Sequence, residues 1–316
     1  MNLSERTGYR KPTAHCANFP YMQQTKIRTP TGAVATLWIR NDLFGAEGLI
    51  ACVGEIEAAE PYDARELLRC AAERATASGC SRIVGPLDGD TWHRYRVNVG
   101  PHDEPPFFLE PRNPDWWEEV FRSSGFQEEA AYFTALHEDL AKRDSRIDRA
   151  RARLEAGGVT IRTFRPDAAE EDLRLLHRVS LEAFAHNHLY SPIGEEAFRG
   201  MFEPLLGVLD FRFVLIAERG GESVGFVFAF PEFEEGKRRG KIETLVVKTV
   251  AVRDGRPQAG LGAVLVGMVE DVARAAGFRR SIHALMHENN VSRNLSAKTT
   301  HPIRRYVLFS KTLLAG

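Results

Sequence analysis

The stretch VAVRDGRPQAGLGAVLV, from Val250 to Val266, sets an apolar strand before a polar turn, a Gly-x-Gly pair at Gly260 and Gly262, and a helix. Glycines where a strand turns into a helix suit the binding of an anion. The N–H groups of a helix's first turn have no acceptor inside the helix, and the helix dipole favours negative charge there. Glycine also lets the main chain approach a pyrophosphate closely and take dihedrals that other residues resist. Two familiar phosphate loops are excluded by their chemistry. A P-loop needs Gly-Lys-Ser/Thr, whereas Gly262 is followed by Ala263 and Val264. A dinucleotide-binding turn needs a third glycine and opens its domain, whereas this turn comes late in its half of the chain. Close packing of a helix against a neighbour also uses such a pair, so by itself the pair leaves both roles open.

The elements that must position this turn can be read on either side of it. VTIRTF is a short strand, and EEDLRLLHRVSLEAF a helix with leucines and valine at three- and four-residue spacing. FRFVLIAE and SVGFVFAF are alternating strands joined by the turn Arg219-Gly220-Gly221-Glu222. A strand from Ile242 to Val252 and a helix from Leu261 to Ala276 follow, the latter stopped by Gly277. SIHALM then reads as a strand, NNVSRNLSAK as a short helix and RRYVLFSKTL as the closing strand. The first half runs in similar order: AVATLWIR and LIACVGEIEA as strands, ARELLRCAAERATAS as a helix, CSRIVGPL as a strand, NPDWWEEVFRSSGF as a helix and EEAAYFTALHEDL as a strand. The chain thus reads as a diverged internal repeat of one α+β unit. Between the halves, the highly charged segment from His137 to Gly158 reads as an exposed bridging helix.

A strand carrying Val-Ala-Val near its end, then Gln258-Ala259-Gly260-Leu261-Gly262-Ala263, then an amphipathic helix and a strand, resembles motif A of the Gcn5-related N-acetyltransferases, the GNAT superfamily. Asn289-Asn290-Val291-Ser292, with Leu295 and Lys298 after it, resembles the superfamily's motif B. The resemblance covers Val159 to Leu314. It departs at Pro257, where the family often has Arg or Gln; Arg256 and Gln258 flank that position, and the backbone donors are unaffected. In the first half NPDWWEEVFRSSGF resembles the family's closing helix, but AAEPYDARELL stands where the glycines should be. Glu60 and Asp63 would repel a pyrophosphate there. The resemblance therefore implies an α+β fold of two tandem GNAT-like domains, each a mixed, mostly antiparallel sheet flanked by helices. A degenerate domain is expected over residues 1–140, a charged helical linker over 141–158 and an acetyltransferase domain over 159–316.

The same resemblance implies transfer of an acetyl group from acetyl-coenzyme A to a primary amine of a small molecule by direct attack. A non-catalytic acyl-coenzyme A-binding scaffold and a protein N-acetyltransferase are the alternatives. By position, the main chain of Val250, Ala251 and Val252 would pair with the pantetheine arm, and the amides of Gln258, Ala259, Gly260, Leu261, Gly262 and Ala263 would cradle the pyrophosphate. Asn289 and Ser292 would contact the pantetheine or orient the thioester. The family often has a glutamate base in the fourth strand; here the only one is Glu243, far from the catalytic gap, with Lys248 and Thr249 nearer. His283, His287 and Glu288 lie on or just after the fifth strand, and His287 and Glu288 are the candidate bases, histidine having a suitable pKa. Ser296 takes the place of the family's motif B tyrosine, leaving Tyr306 or a water as the acid. Acceptor contacts are expected from Phe184, His186 and Tyr190 in AFAHNHLYSPIGEEAF, and from Thr249. The loop GPLDGDTWHRYR of the first half, with Asp88, Asp90, Trp92 and His93, either reaches the active half or caps its own sheet. EEGKRRGK, Glu234 to Lys241, is a basic patch that reads as a solvated hairpin tip, with binding of the 3′-phosphate of coenzyme A or of an acidic acceptor as the alternative.

Composition narrows the partners. The 316 residues have 43% hydrophobic and 27% charged residues with a formal net charge of -1, which gives no long-range attraction to nucleic acid or an anionic membrane. The N-terminal MNLSERTGYRKPTAHC has no apolar signal core, and no apolar run approaches the roughly 18 residues of a membrane span. Cys16, Cys52, Cys70 and Cys80 form no CxxC pair, so reduced cysteines in a cytoplasmic protein are expected, with no metal. A homodimer is compatible with all of this.

Overall fold

The computed structural model of the protein describes residues 23–288 and 299–313. In the first half, strands β1 (Gln23–Arg28), β2 (Val34–Arg40) and β3 (Ile50–Glu57) lead into helix α1 (Pro61–Ala77) and strand β4 (Arg82–Gly85). Strand β5 (Val97–Gly100), helix α2 (Trp117–Ser123) and strand β6 (Gln127–His137) complete it. Helix α3 (Arg146–Ala156) leads to strand β7 (Val159–Thr163), helices α4 (Ala169–Ala183) and α5 (Glu195–Leu206), and strands β8 (Val214–Arg219) and β9 (Glu222–Pro231). Helix α6 (Phe233–Arg239), strand β10 (Thr244–Val252), helix α7 (Leu261–Ala275) and strands β11 (Arg280–His287) and β12 (His301–Thr312) follow.

All twelve strands belong to one sheet, whose order is β1-β2-β3-β4-β12-β6-β11-β10-β9-β8-β7 with β5 alongside β12. Among the described residues only β3/β4 and β10/β11 pair in parallel. Each parallel pair needs a crossover, and α1 and α7 provide them. The closing strands of the two halves have changed places. β12, the last element of the chain, lies against β4 and β5 of the first half, while β6 lies between β12 and β11 of the second. The exchange leaves neither half with a free edge at the middle of the sheet, where unpaired main-chain groups would otherwise face each other.

Side-chain alternation along β10 divides the second half into two layers. Leu245 and Val247 face α7, where they pack with Leu261, Val264, Leu265 and Val269. Val246 and Ala251 face α4 and α5, among Phe226, Phe228, Phe230, Leu173 and Leu176. Helix α1 covers the first half in the same way as α7, burying Leu67, Leu68, Ala71 and Ala75 at three- and four-residue spacing. A buried polar knot ties β6, β11 and α7. Glu270 lies 3.0 Å from His137 Nδ1, 2.9 Å from His283 Nε2 and 2.6 Å from the donating Ser281 hydroxyl. Burial alone would raise the Glu270 carboxyl, but bonds from the two histidines hold it far below the usual carboxylate range.

Two segments differ from what their composition suggests. His137 ends β6, and the helix after it is confined to Arg146–Ala156. That helix is not simply an exposed bridge: Leu154 is buried, and Ile147 packs so tightly on α7 that a Cβ on Gly267 would lie 2.9 Å from it. The basic run at 234–241 forms most of α6 in place of a hairpin tip, because Glu232 caps the amides of Glu234 and Glu235. Its cations are paired, Lys237 with Glu234, Arg238 with Glu232 and Arg239 with Glu235.

Candidate active site

The parallel pairing of β10 and β11 runs from Thr244↔Arg280 to Val247↔His283 and goes no further among the described residues. Beyond it β10 bulges between Val247 and Thr249 but stays paired to β9, with Val250 opposite Val227, Ala251 opposite Phe226 and Val252 opposite Gly225. β11 stays paired to β6 but is irregular between His283 and Met286, where Leu285 takes φ 59°. Two strands leaving each other while held on their outer sides open a gap whose β10 wall has no strand partner among the described residues. An extended ligand can pair with such an edge as an added strand does.

At the end of β10, residues Arg256–Gln258 form a single 3-10 turn that runs into α7. The N–H groups of Gln258 and Ala259 are spent inside it, on the carbonyls of Gly255 and Arg256. Those of Leu261, Gly262 and Ala263 open α7 without a side-chain cap, and the first helical bond is Val264 N–H to Gly260 at 3.1 Å. Gly260 itself has φ 85°, the left-handed region that glycine enters without strain. Arg153 of α3 donates to the Ala259 carbonyl, and its Nη2 lies 3.4 Å from where a Gly260 Cβ would be. An exposed cation therefore stands beside the first turn of α7, which has donors and no anion of its own.

On the opposite face, the first half closes over the gap. Glu110 is buried, and both its oxygens accept from Arg304 Nη1 of β12 at 2.7 Å. The Tyr306 hydroxyl also donates to Glu110 and lies 3.1 Å from Thr134 Oγ1 of β6. Thr134 in turn accepts from Leu285 N–H at 3.2 Å, and Arg96 Nη1 donates to the Leu285 carbonyl at 3.2 Å. Arg96 is sandwiched by the Tyr95 and Tyr132 rings, 3.7 and 3.9 Å from their centroids. Within this frame lies Lys248, on the bulge of β10, with its Nζ 3.3 Å from the Leu109 carbonyl. By surface area Lys248 is only partly covered, yet it lies deep among protein atoms, and depth governs how poorly its charge is solvated. Burial, then the Arg96 cation, pull its pKa down to about 7, against the upward pull of Glu110.

The segment from Ala183 to Phe198, where acceptor contacts are expected, is held by the first half as well. The Trp92 indole N–H donates to the Ser191 carbonyl at 2.8 Å, and its ring meets Phe184, Tyr190 and Phe198 edge-on. Phe44 N–H donates to the Tyr190 carbonyl at 2.8 Å, and the Phe44 ring lies 5.4 Å from His186. Phe184, His186 and Tyr190 thus sit together beneath first-half loops. Tyr190 is buried with its hydroxyl donating to the Leu181 carbonyl, and burial pushes its pKa up to about 12. Of the two readings of the loop at 85–96, the reach across to the second half is the one the structure has.

The counterpart gap in the first half is filled. β3 and β4 part after Cys52↔Val84, but Leu87 N–H returns to the Val53 carbonyl at 2.9 Å, and Asp88 Oδ1 accepts from Glu55 N–H at 2.6 Å. A Cβ on Gly54 would lie only 2.4 Å from that Asp88 oxygen. The main-chain donor that a ligand would need is occupied by the protein's own carboxylate.

The remaining expected residues are placed as follows. Val250, Val252 and Thr249 are partly covered on β10, while Ala251 and Leu261 are buried. His287 packs its ring 4.9 Å from Tyr132, and burial, His188 and Arg96 lower its pKa, so it is uncharged at neutral pH. Glu288 ends the described part of that strand, its N–H on the Ala131 carbonyl. Tyr306 is fully buried, and its phenol is raised by burial and by Glu110. Asn289, Ser292 and Ser296 lie outside the described residues. Sequence patterns gave no sign of Glu110, Arg96 or Arg304. Glu110 stands in the proline-rich run EPPFFLEPRNP, and its importance comes only from what folds against it.

Residues 169–299 match the acetyltransferase (GNAT) family. Among solved structures, the chain is similar to a GCN5-related glucosamine N-acetyltransferase region of a fungal multi-domain GH3 β-N-acetylglucosaminidase, with 14% identity and a TM-score of 0.53 over 91% of this chain and 32% of that one. It is similar to a GCN5-related N-acetyltransferase from Sphaerobacter thermophilus, with 14% identity and a TM-score of 0.50 over 99% and 90% of the two chains. A tandem GNAT protein from the clavulanic acid biosynthesis pathway aligns over 95% and 85%, with 14% identity and a TM-score of 0.50. At these identities the likeness is one of fold. At the level of sequence, no curated relative is matched. The parted strands, the uncapped helix turn and the family match all fall in the second half: residues 169–299 match the Gcn5-related N-acetyltransferase family, and the chain as a whole shares the fold of solved GCN5-related N-acetyltransferases, a tandem GNAT protein among them.

Proposed function

We propose that the protein is an acetyl-coenzyme A-dependent N-acetyltransferase acting on a primary amine of a small molecule. The observation that carries this is the parting of β10 from β11 directly before the glycine turn and the uncapped start of α7. The pyrophosphate would lie on the amides of Leu261, Gly262 and Ala263, and the pantetheine arm along Val250–Val252. A thioester placed at the bulge would then have its carbonyl beside a main-chain donor, which stabilises the charge that develops there. A small acceptor is favoured because Trp92, Phe44 and the loop through Glu110 roof the acceptor side, whereas a polypeptide needs an open groove. The second half, from residue 159, would carry the reaction. The first half, up to residue 140, would bind no cofactor, since Asp88 fills its gap, and would serve to shape the acceptor site.

Thiol release from acetyl-coenzyme A, followed across alkylamines, amino alcohols, amino sugars and amino acids, tests the proposal. Turnover with at least one amine is expected, with one acetyl-coenzyme A per chain by calorimetry. Binding without turnover on any amine would leave a non-catalytic binding protein, and a stoichiometry of two would rule out the filled first-half gap. Arg153→Ala should weaken acetyl-coenzyme A binding by about 3- to 10-fold at low salt, as expected for one exposed charge-assisted contact. That difference should shrink as ionic strength rises; a variant with wild-type affinity would take Arg153 out of the phosphate site.

A further inference from the structure

We propose that Lys248 is the proton acceptor for the incoming amine, and that the first half supplies its electrostatic setting through Arg96 and Glu110. This rests on the acetyl-transfer function proposed above.

Geometry singles out Lys248. It is the first residue of β10 beyond the last pair with β11, at the bulge that opens the gap, and it lies on the acceptor side with Leu109. Its nitrogen makes one hydrogen bond among the described residues, as donor to the Leu109 carbonyl at 3.3 Å. A neutral amine held by one donated bond keeps its lone pair for the substrate. Three other proton-handling groups are committed elsewhere. Glu110 accepts from Arg304 and Tyr306, and Tyr306 is engaged by Glu110 and Thr134. Glu243, the residue immediately before β10, is paired with Lys241 at 3.0 Å.

The charges that face Lys248 come from several elements. Arg96, on the first-half loop before β5, and Glu110, on the loop after it, act on it directly with opposite signs. Arg304 and Tyr306 of β12 stand behind Glu110 and partly neutralise it. His287 of β11 is uncharged at neutral pH under the same Arg96. A lysine so surrounded is substantially deprotonated near neutrality, as a base must be.

The step balances without a further reactant. The neutral Lys248 amine takes one proton from the acceptor ammonium. The freed amine attacks the thioester carbonyl, the C–N bond forms and the C–S bond breaks. The departing thiolate takes the second proton of the acceptor nitrogen, and Lys248 returns its own proton to water.

The test is the pH profile of kcat with the fastest amine of the panel above, at saturating acetyl-coenzyme A. Wild-type kcat should climb about tenfold per pH unit below pH 7 and level off above it. Lys248→Met should lower kcat by on the order of 100-fold or more and abolish that limb, with acetyl-coenzyme A affinity within about threefold of wild type. Arg96→Gln removes a neighbouring cation, so Lys248 should hold its proton longer and the limb should move to higher pH. A Lys248→Met protein that keeps the limb, or loses less than about threefold in kcat, overturns the assignment of Lys248 alone. If that variant does not fold, an unshifted limb in Arg96→Gln overturns it instead. Absence of wild-type turnover on every amine overturns the transferase function together with this assignment.

Discussion

A Gly260→Val protein is expected to lose acetyl-coenzyme A affinity by about a hundredfold, that is about 2.7 kcal/mol, while keeping its sheet. Gly260 holds φ 85°, where an L-residue costs roughly 1–2 kcal/mol and a β-branched one is the worst tolerated. The added atoms would also press on Arg153 Nη2 and on Ala150 Cβ, which lie 3.4 and 3.8 Å from the new Cβ. The turn can relieve the strain only by rotating, and rotation takes the amides of Leu261, Gly262 and Ala263 away from a common focus. It also displaces Arg153, so the loop loses its neutral donors and a nearby cation together. Stability should fall by no more than the local strain, because the packing of Leu261, Val264 and Leu265 against the sheet is untouched. Calorimetric titration with acetyl-coenzyme A, paired with a thermal melt, separates the two effects. Wild-type affinity in this variant would remove the glycine turn from the cofactor site.

Removing Glu110 should be the most destabilising single change in the acceptor site. In Glu110→Ala, Arg304 keeps its buried position, with 1% of its side chain exposed, and loses its counter-ion. Breaking a buried pair from one side costs about 3–5 kcal/mol, because the remaining charge stays in a poor solvent. The melting temperature should fall by on the order of 10 °C. Tyr306 loses an acceptor at the same time, and the loop before Glu110 stays tied to β12 through Arg304, which still donates to the Pro101 and Glu104 carbonyls. Turnover should fall with it, since Lys248 Nζ is bonded to Leu109 of that loop. The double variant Glu110→Gln with Arg304→Met leaves no isolated charge and should recover much of the stability without recovering turnover. A loss below about 1 kcal/mol in Glu110→Ala would mean that the pair is not buried as described here.

Most of the elements were legible in the sequence, because local patterning controls them. α7 falls where its apolar spacing and the glycines at either end put it, from Leu261 to Ala275. β8 and β9 fall on the two apolar runs that read as strands, although both are buried along most of their length, and α1 begins at Pro61, ahead of the expected start at Ala64, because proline is preorganised for the first helical position. The errors have physical causes. α6 is a helix because Glu232 caps it, and the run of like charge hid that signal. α3 carries mostly charge yet packs on α7 through Ile147 and Leu154, two apolar residues that its composition outweighs. The glycine turn was recognisable because a phosphate-binding helix start needs a fixed order of neighbours along the chain. The charged groups gathered around the gap have no such order: Arg96, Glu110, Lys248 and Arg304 come from four separate segments.

By itself the sequence determined the repeat of strands and helices, the place of the glycine turn and the likeness to acetyltransferases, since each depends on contacts between residues close in the chain. Only the tertiary structure decided where the two closing strands go. β6 and β12 carry similar alternating patterns that fit either half, and the exchange is set by pairing across more than a hundred residues. That exchange brings Tyr306 and Arg304 to Glu110, sets Arg96 and Glu110 around Lys248, and gives the second half's site walls made by the first. Charges far apart in sequence acquire their interaction, and a lysine its altered basicity, only when the fold removes the water between them.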